Sequence, residues 1–186
     1  FEKMLYDQAM ISMAYLEAYQ ITSKEEYGNT VKEIYSYVLR DMTSPEGGFF
    51  SAEDADSEGE EGKFYVWTTE EIHSILGENN GTKFNSLLNI RQNGNFRDEA
   101  SGTESGHNIP HLKIALEKDD VEFFDQHRKN LFEVREKRIH PLKDDKILTD
   151  WNGLMIASLA KGSVALNTLE YYNAAKKGAD FILNNL

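Results

Sequence analysis

Between residues 4 and 21 apolar side chains fall on nearly every side of a helical projection: Leu5, Ala9, Met10, Ile11, Met13, Ala14, Leu16 and Ala18. A helix without a polar face is one buried all round. Residues 25–42 follow a different rule. Tyr27, Val31, Ile34, Tyr35, Val38, Leu39 and Met42 recur at three- and four-residue spacings, which predicts a one-sided amphipathic helix. Thr22-Ser23 supplies turn and N-cap chemistry between them. The first unit therefore reads as an αα-hairpin over about 4–42, a buried helix followed by a surface helix. The other end of the chain repeats the pattern. Leu154, Met155, Ile156, Leu159, Ala160 and Val164 are apolar nearly all round, whereas Tyr171, Ala175, Ala179, Ile182 and Leu183 mark one side only. This predicts a second αα-hairpin over about 154–186. Laid on the first, it matches Glu26-Tyr27-x-Asn29 with Glu170-Tyr171-x-Asn173. No shorter period of the kind that marks a solenoid, roughly 34–47 residues, runs through the chain.

The middle of the chain changes period. Ser44-Pro45-Glu46-Gly47-Gly48 ends a helix and turns. Residues 49–52 and 63–68 have strand composition, with Ser-Glu-Gly-Glu-Glu-Gly between them, which predicts a β-hairpin over about 49–68 carrying acids at its tip. A short helix is expected over 69–76, with Thr69 as cap, Glu70 and Glu71 in the first turn and Gly77 as the stop. Further helices are expected over about 82–88 and 121–139, the last stopped by His140-Pro141, with Arg135, Lys137 and Arg138 complementing its dipole. Residues 91–105 are polar and Gly-rich and read as a loop.

Composition narrows the class. The 186 residues are 40% hydrophobic and 28% charged, enough for one sizeable core. A net charge of −12 repels phosphate backbones, so nucleic acid is not an expected partner. No run approaches the ~18 apolar residues that a membrane span needs. With no Cys, disulfides and thiolate zinc sites are excluded, which fits a reducing, cytoplasmic setting. The chain opens on Phe1-Glu2-Lys3-Met4 and closes in helical periodicity, so it reads as a piece of a longer protein, in which targeting signals are unobservable rather than absent.

Three polar stretches stand out. In "SAEDADSEGEEGKFYVWT", Asp54-x-Asp56-x-Glu58-Gly59 begins like a calcium loop, but the position that needs a bidentate Glu is Tyr65. Glu58, Glu60 and Glu61 suit a solvated tip, whereas Glu53, Asp54 and Asp56 stand beside aromatics where an unpaired charge is costly. In "DDKILTDWNGLMIASLA", Asp144, Asp145, Lys146, Asp150, Trp151 and Asn152 precede and open a buried helix. In "FEKMLYDQA", Glu2, Lys3, Asp7 and Gln8 hold the matching place at the other one. Helix capping accounts for one or two of these acids, not for all. His107 and His111 are four apart, a ligand spacing on a helix, but Pro110 argues against a helix there. No metal and no cofactor is expected.

Together these three stretches resemble the YyaL-type, or spermatogenesis-associated, family, with the match running from residue 1 to about 162. The resemblance implies a mainly α fold: part of a six-hairpin (α/α) toroid with an inserted β-hairpin, belonging to a protein that also carries an N-terminal thioredoxin-like domain absent from this chain. Such rings gather inner-helix ends around a crater. Glu53, Asp54, Asp56, Asp144 and Asp145 become candidate catalytic carboxylates, and Glu2, Lys3, Asp7, Gln8, Tyr65, Trp67, Lys146, Trp151 and Asn152 candidate substrate contacts. By analogy of fold the expected activity is carbohydrate-directed, glycoside hydrolase-like rather than epimerase-like, on a sugar ligand. The competing expectation is a non-catalytic module that engages a protein partner alongside the thioredoxin-like domain. In either case a partial ring exposes apolar surface and is expected to self-associate.

Overall fold

The computed structural model describes residues 1–97, 102 and 105–186, so part of the loop expected over 91–105 lies outside the described residues. In chain order the elements are β1 (Lys3–Met4), α1 (Leu5–Thr22), α2 (Glu25–Asp41), β2 (Ala52–Glu53), β3 (Asp56–Ser57), β4 (Glu60–Glu61), α3 (Thr69–Leu76), α4 (Glu78–Leu87), α5 (Lys118–Arg135), β5 (Lys143–Asp144), α6 (Thr149–Ala165) and α7 (Leu169–Asn185). The chain is mainly α with a few two-residue strands, consistent with part of a helical toroid. No helix among the described residues is long and apolar enough to cross a membrane. The elements fall into two units. The first joins Phe1–Ala55 to Leu142–Leu186, and the second, Asp56–Pro141, interrupts it in sequence.

In the first unit α1 packs on α2 and on α6, and α6 packs on α7. Leu5, Ala9, Leu16, Val31, Tyr35, Val38, Met155, Leu159 and Tyr171 form its core. A small polar network threads that core. Ser12 Oγ lies 2.7 Å from Ser158 Oγ, and the Tyr35 hydroxyl donates to the Ser158 carbonyl at 2.7 Å. Three helices are thereby tied together with their buried hydroxyls satisfied. Small residues make this approach possible: a Cβ at Gly162 would sit 2.5 Å from the Tyr35 ring.

The all-round burial expected of α1 and α6 is not what the unit shows. Of α1 only Leu5, Ala9, Ser12 and Leu16 are buried, while Met10 is 53% and Ile11 46% exposed. On α6, Val164 is 81% exposed. Each helix packs on its hairpin partner and on the other inner helix, and Met10, Ile11 and Val164 fall on the part left exposed. The Thr22-Ser23 caps also differ from expectation. Ser23 closes α1 in the left-handed region (φ 56°), its N–H on the Tyr19 carbonyl, whereas α2 has Lys24 at its N-cap with no side-chain cap bond.

The second unit packs α3, α4 and α5 around Trp67, Ile72, Leu76, Phe84, Leu88, Ile90 and Leu131. The N-cap of α3 is Thr68, one residue before the expected Thr69. Thr68 and Glu71 form a reciprocal capping box. Gly77 both ends α3 and opens α4, so α4 begins earlier than expected. The last turn before His140 tightens into i→i−3 bonds (Lys137 N–H to Val134, Arg138 N–H to Arg135), which ends α5 at Arg135 rather than 139.

The expected hairpin over 49–68 is corrected. β2 pairs with β1 and β5, not with 63–68, and the hairpin in this stretch is β3–β4, closed by Glu58 (φ 56°) and Gly59 (φ 79°). Two successive positive φ values are what a two-residue hairpin turn demands. Residues 64–67 instead wrap Arg138, whose guanidinium donates to the Phe64 and Val66 carbonyls at 2.9 and 2.8 Å, pairs with Glu71 at 3.1 Å and lies 4.1 Å from the Trp67 ring centre.

Candidate functional site

β1, β2 and β5 form a three-stranded antiparallel sheet in the order β1-β2-β5, in register Lys3↔Glu53, Met4↔Ala52, Ala52↔Asp144 and Glu53↔Lys143. β1 runs directly into α1, and β5 is followed within a few residues by α6. The sheet therefore gathers the polar stretches that precede both inner helices. Side chains alternate across a strand and directly paired residues share a face. Lys3, Glu53 and Lys143 lie on one face, and Met4, Ala52 and Asp144 on the other. The ladder extends one step further, with the Asp54 N–H donating to the Leu142 carbonyl at 2.9 Å. Asp54 thus joins the Asp144 face.

This register separates the candidate acids. Glu53 is 3% exposed and pairs with the Lys3 ammonium at 3.6 Å, which offsets the cost of burying it. Lys3 also donates to the Phe1 carbonyl at 2.8 Å and lies 5.9 Å from the Tyr37 ring centre. The Tyr37 hydroxyl is buried, and burial with the Glu53 and Asp41 carboxylates pushes its pKa well up. Glu53 therefore sits in a cluster of its own, away from Asp144. Asp144 accepts a 2.8 Å bond from Lys146 Nζ, which lowers its pKa and raises that of Lys146. It is held as a carboxylate, suited to a base or a nucleophile rather than a proton donor. Asp54, Asp145 and Lys146 are exposed.

At the start of the inner helices Tyr6 and Trp151 meet edge to face, ring centres 4.8 Å apart, with Tyr6 36% exposed. Asp7 and Glu2 are exposed and Gln8 is half-buried on the same segment. Asn152 is not available to a ligand. It is fully buried and spends its amide on the Phe49 N–H (2.8 Å) and on the Phe49 and Leu148 carbonyls (2.9 and 3.0 Å).

Three candidates belong to the second unit. Asp56 starts the β3–β4 hairpin and is exposed. Tyr65 meets Phe64 edge to face, with the Arg135 guanidinium 5.3 Å from its ring centre. Trp67 is 5% exposed beneath Arg138, with no face left for a sugar. Asn108, absent from the sequence reading, is the second unit's counterpart of Asn152. It is fully buried and bonded to both backbone groups of Arg91 and to the Trp67 carbonyl. A buried Asn that grips backbone has no sequence signal of its own. Tyr6 lies inside the "FEKMLYDQA" stretch, four residues after Glu2 and next to Asp7, a placement that could have marked it. Among the described residues no three His, Cys, Asp or Glu side chains are placed to hold a metal ion.

The comparisons with known proteins point the same way as the three stretches. No family model matches the chain. Over all of its length it is 32% identical to spermatogenesis-associated protein 20 of Homo sapiens, and again 32% to that of Mus musculus. Over its whole length the chain is thus similar to part of spermatogenesis-associated protein 20. It spans 27% of the length of these curated relatives. An uncharacterized protein of Caenorhabditis elegans is 28% identical over 98% of the chain, which covers 28% of that relative.

Proposed function

We propose that the Asp54–Asp144 face of the sheet, with Tyr6 and Trp151 at the adjoining helix starts, binds a carbohydrate, and that the protein acts as a glycoside hydrolase. The observation that carries this reading is the register, which pairs Ala52 with Asp144 and so sets Asp54 and Asp144 diagonally on one face. Diagonal neighbours stand about 7–8 Å apart. From that backbone spacing the two side chains can set their carboxyls at the roughly 6.5–9.5 Å that inversion uses. In this reading Asp144, kept ionised by Lys146, takes a proton from water as it attacks the anomeric carbon, while Asp54 gives a proton to the departing glycosidic oxygen. The paired rings of Tyr6 and Trp151 offer an apolar platform for a sugar face. Glu53 and Lys3 support the sheet from the other side.

The test is a thermal-shift and turnover screen of the protein against monosaccharides and oligosaccharides, with Asp54→Asn and Asp144→Asn alongside. One sugar class that raises Tm and is hydrolysed with inversion, both effects lost in the two variants, is the expected result. No stabilisation by any sugar, or hydrolysis untouched by both substitutions, would sink it.

A second reading rests on exposed Met10, Ile11 and Val164, which give the inner helices an uncovered apolar stripe. In that reading the chain holds a protein partner or the thioredoxin-like domain of its own parent, and the sheet is scaffold. Capture of that domain by the chain, lost in Met10→Asp with Ile11→Asp, separates it from the hydrolase reading.

A further inference from the structure

Within the second unit a cavity of about 410 Å³ opens beside the β3–β4 hairpin, with Lys63, Phe64, Val66, His107, Lys137 and Arg138 among its lining residues. Its charges sort into committed and uncommitted groups. Glu58 pairs with Lys63 at 3.4 Å, and Lys63 reaches Glu60 as well at 2.8 Å. Glu71 pairs with Arg138, which also donates to the carbonyls of 64 and 66. Glu71 thus has a cation of its own in the wall, whereas Glu58 shares Lys63 with Glu60. Lys137 is exposed and makes no ion pair with a described residue, and His107 uses Nδ1 on Ser105 Oγ at 3.1 Å, leaving Nε2 for another group. Phe64, Val66 and Ile139 add apolar surface.

We propose that this cavity binds a small organic monoanion: a carboxylate carried on an apolar or aromatic body. The chain as a whole carries a charge of −12, so a concavity whose uncommitted groups are an ammonium and an imidazole is a local reversal of its field. The volume suits a small molecule. Lys137 supplies the charge, His107 a second polar contact, and the apolar side takes the body of the ligand. A dianion fits less well, because its second charge would face Glu58 and Glu71. The site is independent of the sugar reading and survives its failure.

The experiment is an amide-shift titration of the full chain by heteronuclear NMR. Phenylacetate is the probe, with acetate and 2-phenylethanol as controls that each keep half of its chemistry. Saturable shifts clustered at 63–66 and 137–139 are expected with phenylacetate, and at least about tenfold weaker responses with either control. Lys137→Ala should weaken phenylacetate about tenfold, the scale of one charge-assisted contact, while Lys137→Arg keeps most of the affinity. Because Lys137 is exposed, the remaining amides report an unchanged fold in both variants. Absence of saturation, equal binding of either control, or equal loss in Lys137→Ala and in the distant Lys129→Ala overturns the proposal.

Discussion

The amide of Asn152 holds Phe49 by both of its backbone groups, accepting from the N–H and donating to the C=O. A side chain on α6 thereby does for residue 49 what a neighbouring strand would do, at a site no water reaches. Asn152→Ala strands a donor and an acceptor together and should cost about 2–4 kcal/mol, read as a lower urea midpoint. Asn152→Asp keeps the acceptor, loses both donated bonds and buries a charge, so it should be no better. A midpoint within about 0.5 kcal/mol of the parent for Asn152→Ala would show that Phe49 is held by other means.

The contact between Gly162 and Tyr35 sets how closely α6 and α2 approach. Gly162→Ala places a methyl 2.5 Å from the ring, and Tyr35 is anchored by its bond to the Ser158 carbonyl. The ring has no room to yield, so the substitution should destabilise the first unit by about 1–3 kcal/mol despite the better helix propensity of Ala. Adding Tyr35→Leu should recover part of the loss, a non-additive pair in a double-mutant cycle.

Alkaline pH should unfold the first unit by way of its tyrosines. Burial raises the pKa of Tyr35, Tyr37 and Tyr171 above the ordinary phenol value of 10.0. Below pH 10 these phenols are neutral in both states and contribute no pH dependence. Above it the unfolded chain gives up protons that the folded chain keeps, so stability falls as pH rises. The denaturation midpoint should drop above pH 10, less steeply in Tyr37→Phe. Phenolate absorbance should show these three lagging behind the rest of the nine tyrosines. All nine ionising together with the fold intact would contradict this.

Arg138 is the corresponding anchor of the second unit. Arg138→Lys keeps the charge but not the fork that serves two carbonyls and Glu71 at once, so it should cost about 2–4 kcal/mol. Trp67, directly beneath the guanidinium, reports the change. In a Trp151→Phe background its fluorescence should shift and its unfolding midpoint fall.

The helices were legible because their signal is periodic within one window of sequence. What the chain could not reveal is partnership across distance. β2 is flanked by Lys3 on one side and Asp144 on the other, both far away in sequence, whereas aromatic 63–68 looked the natural mate for 49–52. The same limit governed the site. The acids were visible as dense clusters, but which share a face depends on register, and register divided Glu53 from Asp54 and Asp144. Arg138 read as a basic residue complementing a helix end, since nothing local says that residues 64–67 will wrap around it. The exposure of Met10 and Ile11 was missed for a different reason: an apolar sequence states what a helix could cover, not what stands beside it.

The hydrogen bond from Asp54 to Leu142 closes the first unit where the chain leaves it and returns. The whole of Asp56–Pro141 leaves and re-enters the first unit at two points one backbone bond apart. To the host helices that segment is equivalent to a tight turn, and lengthening a closed loop costs little once its ends are fixed. Such a junction should tolerate exchange of the segment it closes while α1, α2, α6 and α7 keep their packing. Joining Asp54 to Leu142 by a short turn should leave a smaller protein that still melts cooperatively, and the junction is where grafted domains would be best accepted.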